Sequence, residues 1–200
     1  RRDDLLNQRG RFVDFFLQFS ANLPQKRGVL RAFHSWIMTK LTKEEFASSH
    51  RAFMRTDSLL QPNIKGLIHD MCFVSSPKRS ITLLENPRIF LLAKQEIQSA
   101  FGEDLMLENL QGIVRAVAVM KQVYQMEFRE NPQPEEILPL LSHCILTIQH
   151  PQMYTIGKMY HHFLTSLVSL KMDLFTNEEV ETLKLMDAHI SAFDTAVAKY

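Results

Sequence analysis

Residues 131–167 read NPQPEEILPLLSHCILTIQHPQMYTIGKMYHHFLTSL, and this stretch decides the predicted fold. Two prolines come before the acidic pair Glu135-Glu136, which is typical of the start of a helix. The pattern predicts a short helix with Ser142-His143 near its end, then a break at His150-Pro151 and a longer amphipathic helix. A histidine near the end of a short helix, set against a long apolar helix, can hold a metal over a flat cofactor. His143 is therefore the first candidate for chemistry.

Working outward, helical periodicity extends over nearly the whole chain, and no segment alternates with period two for long enough to predict a strand. Two capping boxes, Thr42 with Glu45 and Thr176 with Glu179, predict helix starts. The part between Lys78 and Gln98 is predicted to be shorter and less regular. The clearest apolar faces lie on two of the predicted helices, formed by Leu107, Leu110, Ile113, Val114, Val117, Met120 and Tyr124, and by Val180, Leu183, Met186, Ile190 and Phe193. We predict an all-α protein.

Composition excludes several classes of protein. Two hundred residues, of which 46% are hydrophobic, can bury a sizeable core. A net charge of +1 without a Lys/Arg block gives no general attraction to nucleic acid. No apolar run reaches about 18 residues, so no membrane span is predicted. Cys72 and Cys144 are too few for a disulfide framework, which favours a cytoplasmic location. The chain does not begin with Met, so we expect a piece of a longer protein.

The usual metal and nucleophile motifs are missing from the sequence. There is no HExxH and no Cys-x-x-Cys, so zinc has little support. His161 and His162 are neighbours, and on a helix they point about 100° apart. Cys144 beside His143 diverges in the same way, and we expect its thiol to be a small buried hydrophobe. Glu135-Glu136 is expected to begin a helix and not to act as a catalytic pair.

From residue 41 to residue 200 the chain resembles the globins. The segment LTKEEF at 41–46 looks like the globin opening, and Phe73 followed by Ser75-Ser76-Pro77 is similar to the end of the second globin helix. The strongest part is EEILPLLSHCILTI at 135–148, followed by a long helix and then Phe175-Thr176 with two acids. This order and spacing look like the globin proximal helix and the last two helices.

The resemblance implies that His143 is the proximal ligand of a haem iron. A neutral imidazole binds iron through one ring nitrogen, and its other N–H needs an acceptor that fixes the ring. Ser142 stands just before the histidine, and the carbonyl of Pro139, four residues back, is also available. The alternative is a histidine that packs and hydrogen-bonds on a partly exposed helix face.

The distal side implied by the resemblance falls early in the long helix, but its register is open. Gln111 is a hydrogen-bond donor, but in its register Arg115 would lie over the haem. Leu110 with Val114 would instead form an apolar distal pocket. Gln111 could equally be a polar residue that faces solvent.

Four further residues are expected near the cofactor. Leu83 falls where globins place a Phe against the haem, and Phe90 is a shifted substitute. By the same count His69 points toward the distal cavity as a donor or sixth ligand, unless it is a core histidine. His150 is placed to meet a haem propionate or to cap the following helix.

We therefore expect a helical extension at residues 1–40 and a globin-like domain at 41–200. The resemblance implies a protein that binds haem and then binds O₂ or another diatomic gas, or exchanges electrons. It suggests a role in sensing, and nothing in the sequence requires an enzymatic reaction. The alternative is a haem-free globin-like domain for dimerisation or partner recognition. The Phe-rich extension would then pack back on the domain or pair with another copy.

Overall fold

The structure of this protein is a computed structural model that describes residues 28, 31, 32, 36, 53–102, 106–158, 161 and 175–199. These residues form helices joined by turns and contain no β-strand, which confirms the all-α prediction. Within the described ranges, no helix combines the length and the apolar character needed to cross a membrane. The capping box at Thr42 and the boundary between 1–40 and 41–200 lie outside the described residues.

The helices from residue 53 onward are numbered here in chain order. A first helical stretch, α1, covers residues 53–60 and is followed by a 3-10 turn at Gln61–Asn63. The later elements are α2 (Ile64–Cys72), α3 (Lys78–Leu84), a 3-10 turn (Pro87–Phe90), α4 (Leu91–Phe101), α5 (Met106–Phe128), α6 (Pro134–Ile148), α7 (residues 153–158) and α8 (Asn177–Val197).

The region between Lys78 and Gln98 is more regular than predicted. It contains α3, a 3-10 turn that begins at Pro87, and most of α4. The buried residues of α4 are Ala93, Ile97 and Ala100, so its inward face is narrow and two of its three side chains are small. Small side chains give only a weak helical pattern of hydrophobicity in the sequence, although the helix itself packs closely.

Close packing between α4 and α5 depends on Gly112. A Cβ atom added at Gly112 would lie 2.6 Å from the Cβ of Ala100 and 3.1 Å from the carbonyl oxygen of Glu96. The two helices approach each other here because neither presents a large side chain. This contact holds α5 against α4 and leaves the apolar residues Ile113 and Val117 to enter the core.

Helix α6 lies at the centre of the fold. Every residue from Pro139 to Leu146 is buried, and the helix contacts α2, α3, α4, α5 and α8. A helix that is apolar around its whole circumference is stable only when other elements cover all its sides. The helix stops just before the break predicted at His150-Pro151, where Gln149 adopts a left-handed backbone with φ of 53°, and His143 lies five residues before its end at Ile148.

Both predicted acidic helix starts are confirmed. In α6 the backbone N–H of Gln133 donates to Glu136 at 3.0 Å. In α8 the N–H of Glu179 donates to the hydroxyl of Thr176 at 3.2 Å, and the N–H of Thr176 donates back to the Glu179 carboxylate at 2.8 Å. These reciprocal bonds satisfy amide groups that have no partner inside the helix.

Candidate functional site

His143 lies in the interior, on the central helix α6. The residue is 7% exposed, and its ring meets that of Phe73 edge to face, with centroids 6.5 Å apart. None of the described residues provides a hydrogen-bond partner for its Nδ1 atom. Burial, helped by the positive charge of Lys94, lowers the pKa of His143 to about 4. The imidazole is therefore neutral at pH 7, and its Nδ1 atom is buried without a partner among the described residues.

Neither acceptor expected for the His143 ring is used. The Ser142 hydroxyl lies 2.9 Å from Nδ1 of His189 on α8, and the Pro139 carbonyl does not bond the His143 ring. The carbonyl of His143 accepts the Thr147 hydroxyl at 2.6 Å. Ser142 and His143 project differently from α6 because neighbours on a helix diverge.

His189 is a second buried histidine, and its Nδ1 atom has the Ser142 hydroxyl as a partner. It is 2% exposed, and its ring stacks on Phe193 with centroids 5.7 Å apart and planes inclined by 24°. Burial lowers the pKa of His189 to about 4. The prediction missed this residue, although it interrupts the apolar face of α8 between Met186 and Phe193, which was a usable signal.

The apolar residues expected around a haem are part of the hydrophobic core. Leu110 and Phe90 have no accessible surface, Leu83 is 4% exposed, and Val114 packs against the same core. Side chains that line a cleft large enough for a flat cofactor would be accessible from that cleft. The packing of these described residues therefore does not fit haem without a rearrangement of the core.

Gln111 and Arg115 face away from that core. The Gln111 amide donates to the carboxylate of Glu179, and the Arg115 guanidinium donates to Glu96 at 2.7 Å near the surface. Both side chains line an open groove of about 500 Å³ beside α4, together with Ser99, Ala100 and Glu108. Gln111 is thus neither over His143 nor simply solvated: it joins α5 to α8.

His69 and His150 lie apart from the buried histidines. The side chain of His69 is 71% exposed, with Nδ1 3.5 Å from Asp70, so the prediction that it points into a distal cavity is wrong. It occupies the outer face of α2, whose buried residues are Ile64, Leu67 and Cys72. The Nδ1 atom of His150 accepts the N–H of Gln152 at 3.2 Å, in the turn that leads into α7.

A buried carboxylate that the prediction missed joins α1 to α7. Asp57 is 3% exposed and accepts the N–H of Tyr154 at 2.7 Å, the N–H of Thr155 at 3.2 Å and the Thr155 hydroxyl at 2.6 Å. The N–H groups of Tyr154 and Thr155 belong to the first turn of α7 and have no partner inside that helix. Asp57 therefore caps α7 from a distant part of the chain. The signal in the sequence was its position: Asp57 lies four residues after Phe53 and three before Leu60, so it shares the apolar face of a helix with them.

The two cysteines are buried and free, as expected for Cys144. Burial raises the pKa of both thiols to about 12, for Cys72 with a smaller contribution from the nearby Cys144. Both are therefore protonated and unreactive at pH 7. Among the residues that the structure describes, no group of three His, Cys, Asp or Glu side chains is placed to hold a metal ion.

Three comparisons with known proteins give no family assignment. The chain has no significant match to a protein-family model, to a curated protein or to a solved structure. The globin resemblance therefore stays a prediction.

Proposed function

We propose that this chain is a haem-free helical domain that acts by binding another protein. The observation that carries the proposal is the packing around His143. Two of the apolar residues expected to line a cofactor cleft, Leu110 and Phe90, have no accessible surface, and a third, Leu83, is 4% exposed. Because the interior is filled by side chains, the outer surface of the domain is the part that can bind another protein.

A pair of leucines on the outside of α4 supports partner binding. Leu91 is 59% exposed and Leu92 is 64% exposed, while the opposite face of the same helix is buried through Ala93 and Ile97. Single exposed apolar residues are common, but neighbouring large ones present a combined apolar surface. Protein interfaces bury such side chains and gain the corresponding transfer free energy.

Sedimentation velocity of the full chain tests the proposal at this surface. A second copy of the chain is the partner that can be tested directly, and we expect a concentration-dependent dimer. Leu91→Ser with Leu92→Ser should weaken association, whereas Met126→Ser, at a residue 62% exposed on α5, should leave it unchanged. The proposal would be contradicted if the chain is monomeric at every concentration and if no other protein binds it through Leu91 and Leu92.

The second candidate function is haem binding through His143, with O₂ or another diatomic gas as ligand, or electron exchange. The specific observation in its favour is a neutral imidazole whose Nδ1 has no partner in the part of the chain that the structure describes. Bound haem would supply gas binding or redox chemistry, and His143 would hold the iron. Since the core would have to rearrange, we expect added haem to keep the absorption spectrum of free haem. A Soret band that is shifted and sharpened by the native chain, and not by His143→Ala, would establish this candidate in place of the first.

A further inference from the structure

The turn between α2 and α3 carries a sequence pattern that the proposed function does not use. Residues 76–79 read Ser-Pro-Lys-Arg, and Ser76-Pro77 is the one place in the sequence where a serine or threonine directly precedes a proline. Proline-directed protein kinases select a hydroxyl residue followed by proline, and one group of them also selects a basic residue three positions after the hydroxyl. Arg79 occupies that position.

The backbone of this turn is extended at the point where a kinase would bind it. Pro77 has φ of −56° and ψ of 142°, and the proline ring also restricts Ser76 to extended conformations. Among the described residues, the backbone hydrogen bonds of α2 end at the N–H of Val74, and those of α3 begin at the carbonyl of Pro77. Ser75 and Ser76 lie between these two points, so a kinase can bind them without unfolding either helix.

Ser76 is better placed for an enzyme than the nearest other hydroxyl that follows basic residues. Ser75 and Lys78 beside it are exposed, and Ser76 itself is half-buried. Thr82 is also exposed, but it lies inside α3, where its hydroxyl donates to the carbonyl of Lys78 at 3.1 Å. Because α3 would have to unwind before Thr82 could bind in an extended form, the structure favours Ser76.

Arg79 can supply the basic group because its contacts are near the surface. Its side chain is 46% exposed and pairs with Glu130, whose side chain is 59% exposed. The guanidinium also lies 5.5 Å from the centre of the Phe128 ring and donates to the Tyr124 hydroxyl at 3.4 Å. A surface ion pair is held weakly, so an acidic group of a kinase can replace Glu130.

We propose that Ser76 is a phosphorylation site for a proline-directed serine/threonine protein kinase. The kinase transfers the γ-phosphoryl group of ATP to the Oγ atom of Ser76. The Oγ–P bond forms, the bond from the γ-phosphorus to the bridging oxygen breaks, ADP leaves, and the hydroxyl proton passes to a base of the kinase. The product carries about two negative charges beside Lys78 and Arg79. This site does not depend on which molecule the domain binds.

The test uses the full chain, ATP with Mg²⁺, and a purified kinase of this class whose activity is checked on an unrelated Ser-Pro peptide. Tandem mass spectrometry should find one phosphoryl group per chain, on Ser76. Ser76→Ala should abolish the incorporation, whereas Ser75→Ala and Thr82→Ala should retain it. Pro77→Ala should lower kcat/KM by about tenfold, because the new N–H would be buried against the kinase without a partner.

Three further variants test the role of Arg79. Arg79→Gln should lower kcat/KM by about tenfold, since a charge-assisted hydrogen bond to the kinase is lost. Arg88→Gln is the matched control at an exposed arginine of the following 3-10 turn, and it should leave kcat/KM unchanged. Glu130→Gln should raise kcat/KM by up to about fivefold, because it releases Arg79 from its surface pair.

Three results would overturn the proposal. The first is a native chain that takes up no phosphoryl group from the active kinase, and the second is incorporation that persists in Ser76→Ala. The third is an unchanged kcat/KM in Pro77→Ala, which would show that the kinase does not recognise this turn.

Discussion

His143 and His189 lie in the same interior, but among the described residues only His189 has a partner for its Nδ1 atom. Both are buried, and burial lowers the pKa of both to about 4. His189 has the Ser142 hydroxyl at 2.9 Å and the ring of Phe193 beneath it. His143 has an edge contact with Phe73 and an Nδ1 atom without a partner among the described residues.

The difference separates a structural histidine from one that is open to a ligand. A buried polar group contributes to stability only when its hydrogen bonds are made, and otherwise its desolvation is a net cost. His189 therefore stabilises the contact between α6 and α8, whereas the described residues give the buried Nδ1 of His143 no such compensation. The sequence drew attention to His143, but the structure gives the clearer role to His189.

The largest expected effect is acid destabilisation, which tests what the two histidines share. In the unfolded chain each imidazole takes up a proton as the pH falls below about 6.5, and in the folded chain only near 4. Their contribution is fully present above about pH 6.5 and is lost as the pH falls toward 4. The full loss is about 3 kcal/mol for each histidine. Urea unfolding across this pH range measures it, and a flat profile would rule it out.

The next effect tests the satisfied histidine. His189→Leu should lower the free energy of unfolding by about 2–3 kcal/mol, because it leaves the Ser142 hydroxyl buried without its partner and removes the ring stack. His161→Leu is the matched control: His161 pairs with Asp187 near the surface, and its loss should cost under about 0.5 kcal/mol. Urea unfolding followed by circular dichroism measures both, and equal losses would refute the distinction.

A smaller effect is expected when the partner of His189 is removed. Ser142→Ala should cost about 1–2 kcal/mol, since it leaves His189 with an unsatisfied ring nitrogen like that of His143. Ser142→Ala combined with His189→Leu should cost less than the sum of the two single changes, because they act on one hydrogen bond. Strict additivity in this double-mutant cycle would mean that the bond contributes nothing.

The smallest effect is expected at His143 itself. His143→Leu should change the free energy of unfolding by less than about 1 kcal/mol, because it replaces an unsatisfied polar ring with an apolar side chain of similar size. It should also reduce the acid sensitivity. If His143→Leu lowered the free energy of unfolding as much as His189→Leu does, His143 would have a partner, and the proposed difference between the two histidines would be wrong.

Much of the architecture was accessible from the sequence, but the candidate site was not. Periodicity predicted the helical class, and the spacing of Thr176 and Glu179 predicted the start of α8, because both signals are local. The inward face of α4 was missed because Ala93 and Ala100 are small. The predicted setting of His69 failed because its position was counted from the resemblance and not from the apolar face of α2.

The burial of α6 could have been inferred from the residues alone. From Ile137 to Ile148 the polar side chains are only Ser142, His143 and Thr147, so no wide polar face is available for solvent. This composition indicates a helix covered on all sides. Interpreting it as a helix with one face toward a cofactor gave the histidine more weight than its neighbours justified.

The sequence by itself determined the all-α class, the helix starts at Glu135 and Thr176 and the burial of α6, because these depend on residues within a few turns of each other. Only the tertiary structure decided which buried polar groups meet. Ser142 reaches His189, Glu179 reaches Arg31, and Asp57 reaches Thr155, each across a long interval of chain. Such pairs depend on how helices pack, and local spacing carries no information about their partners.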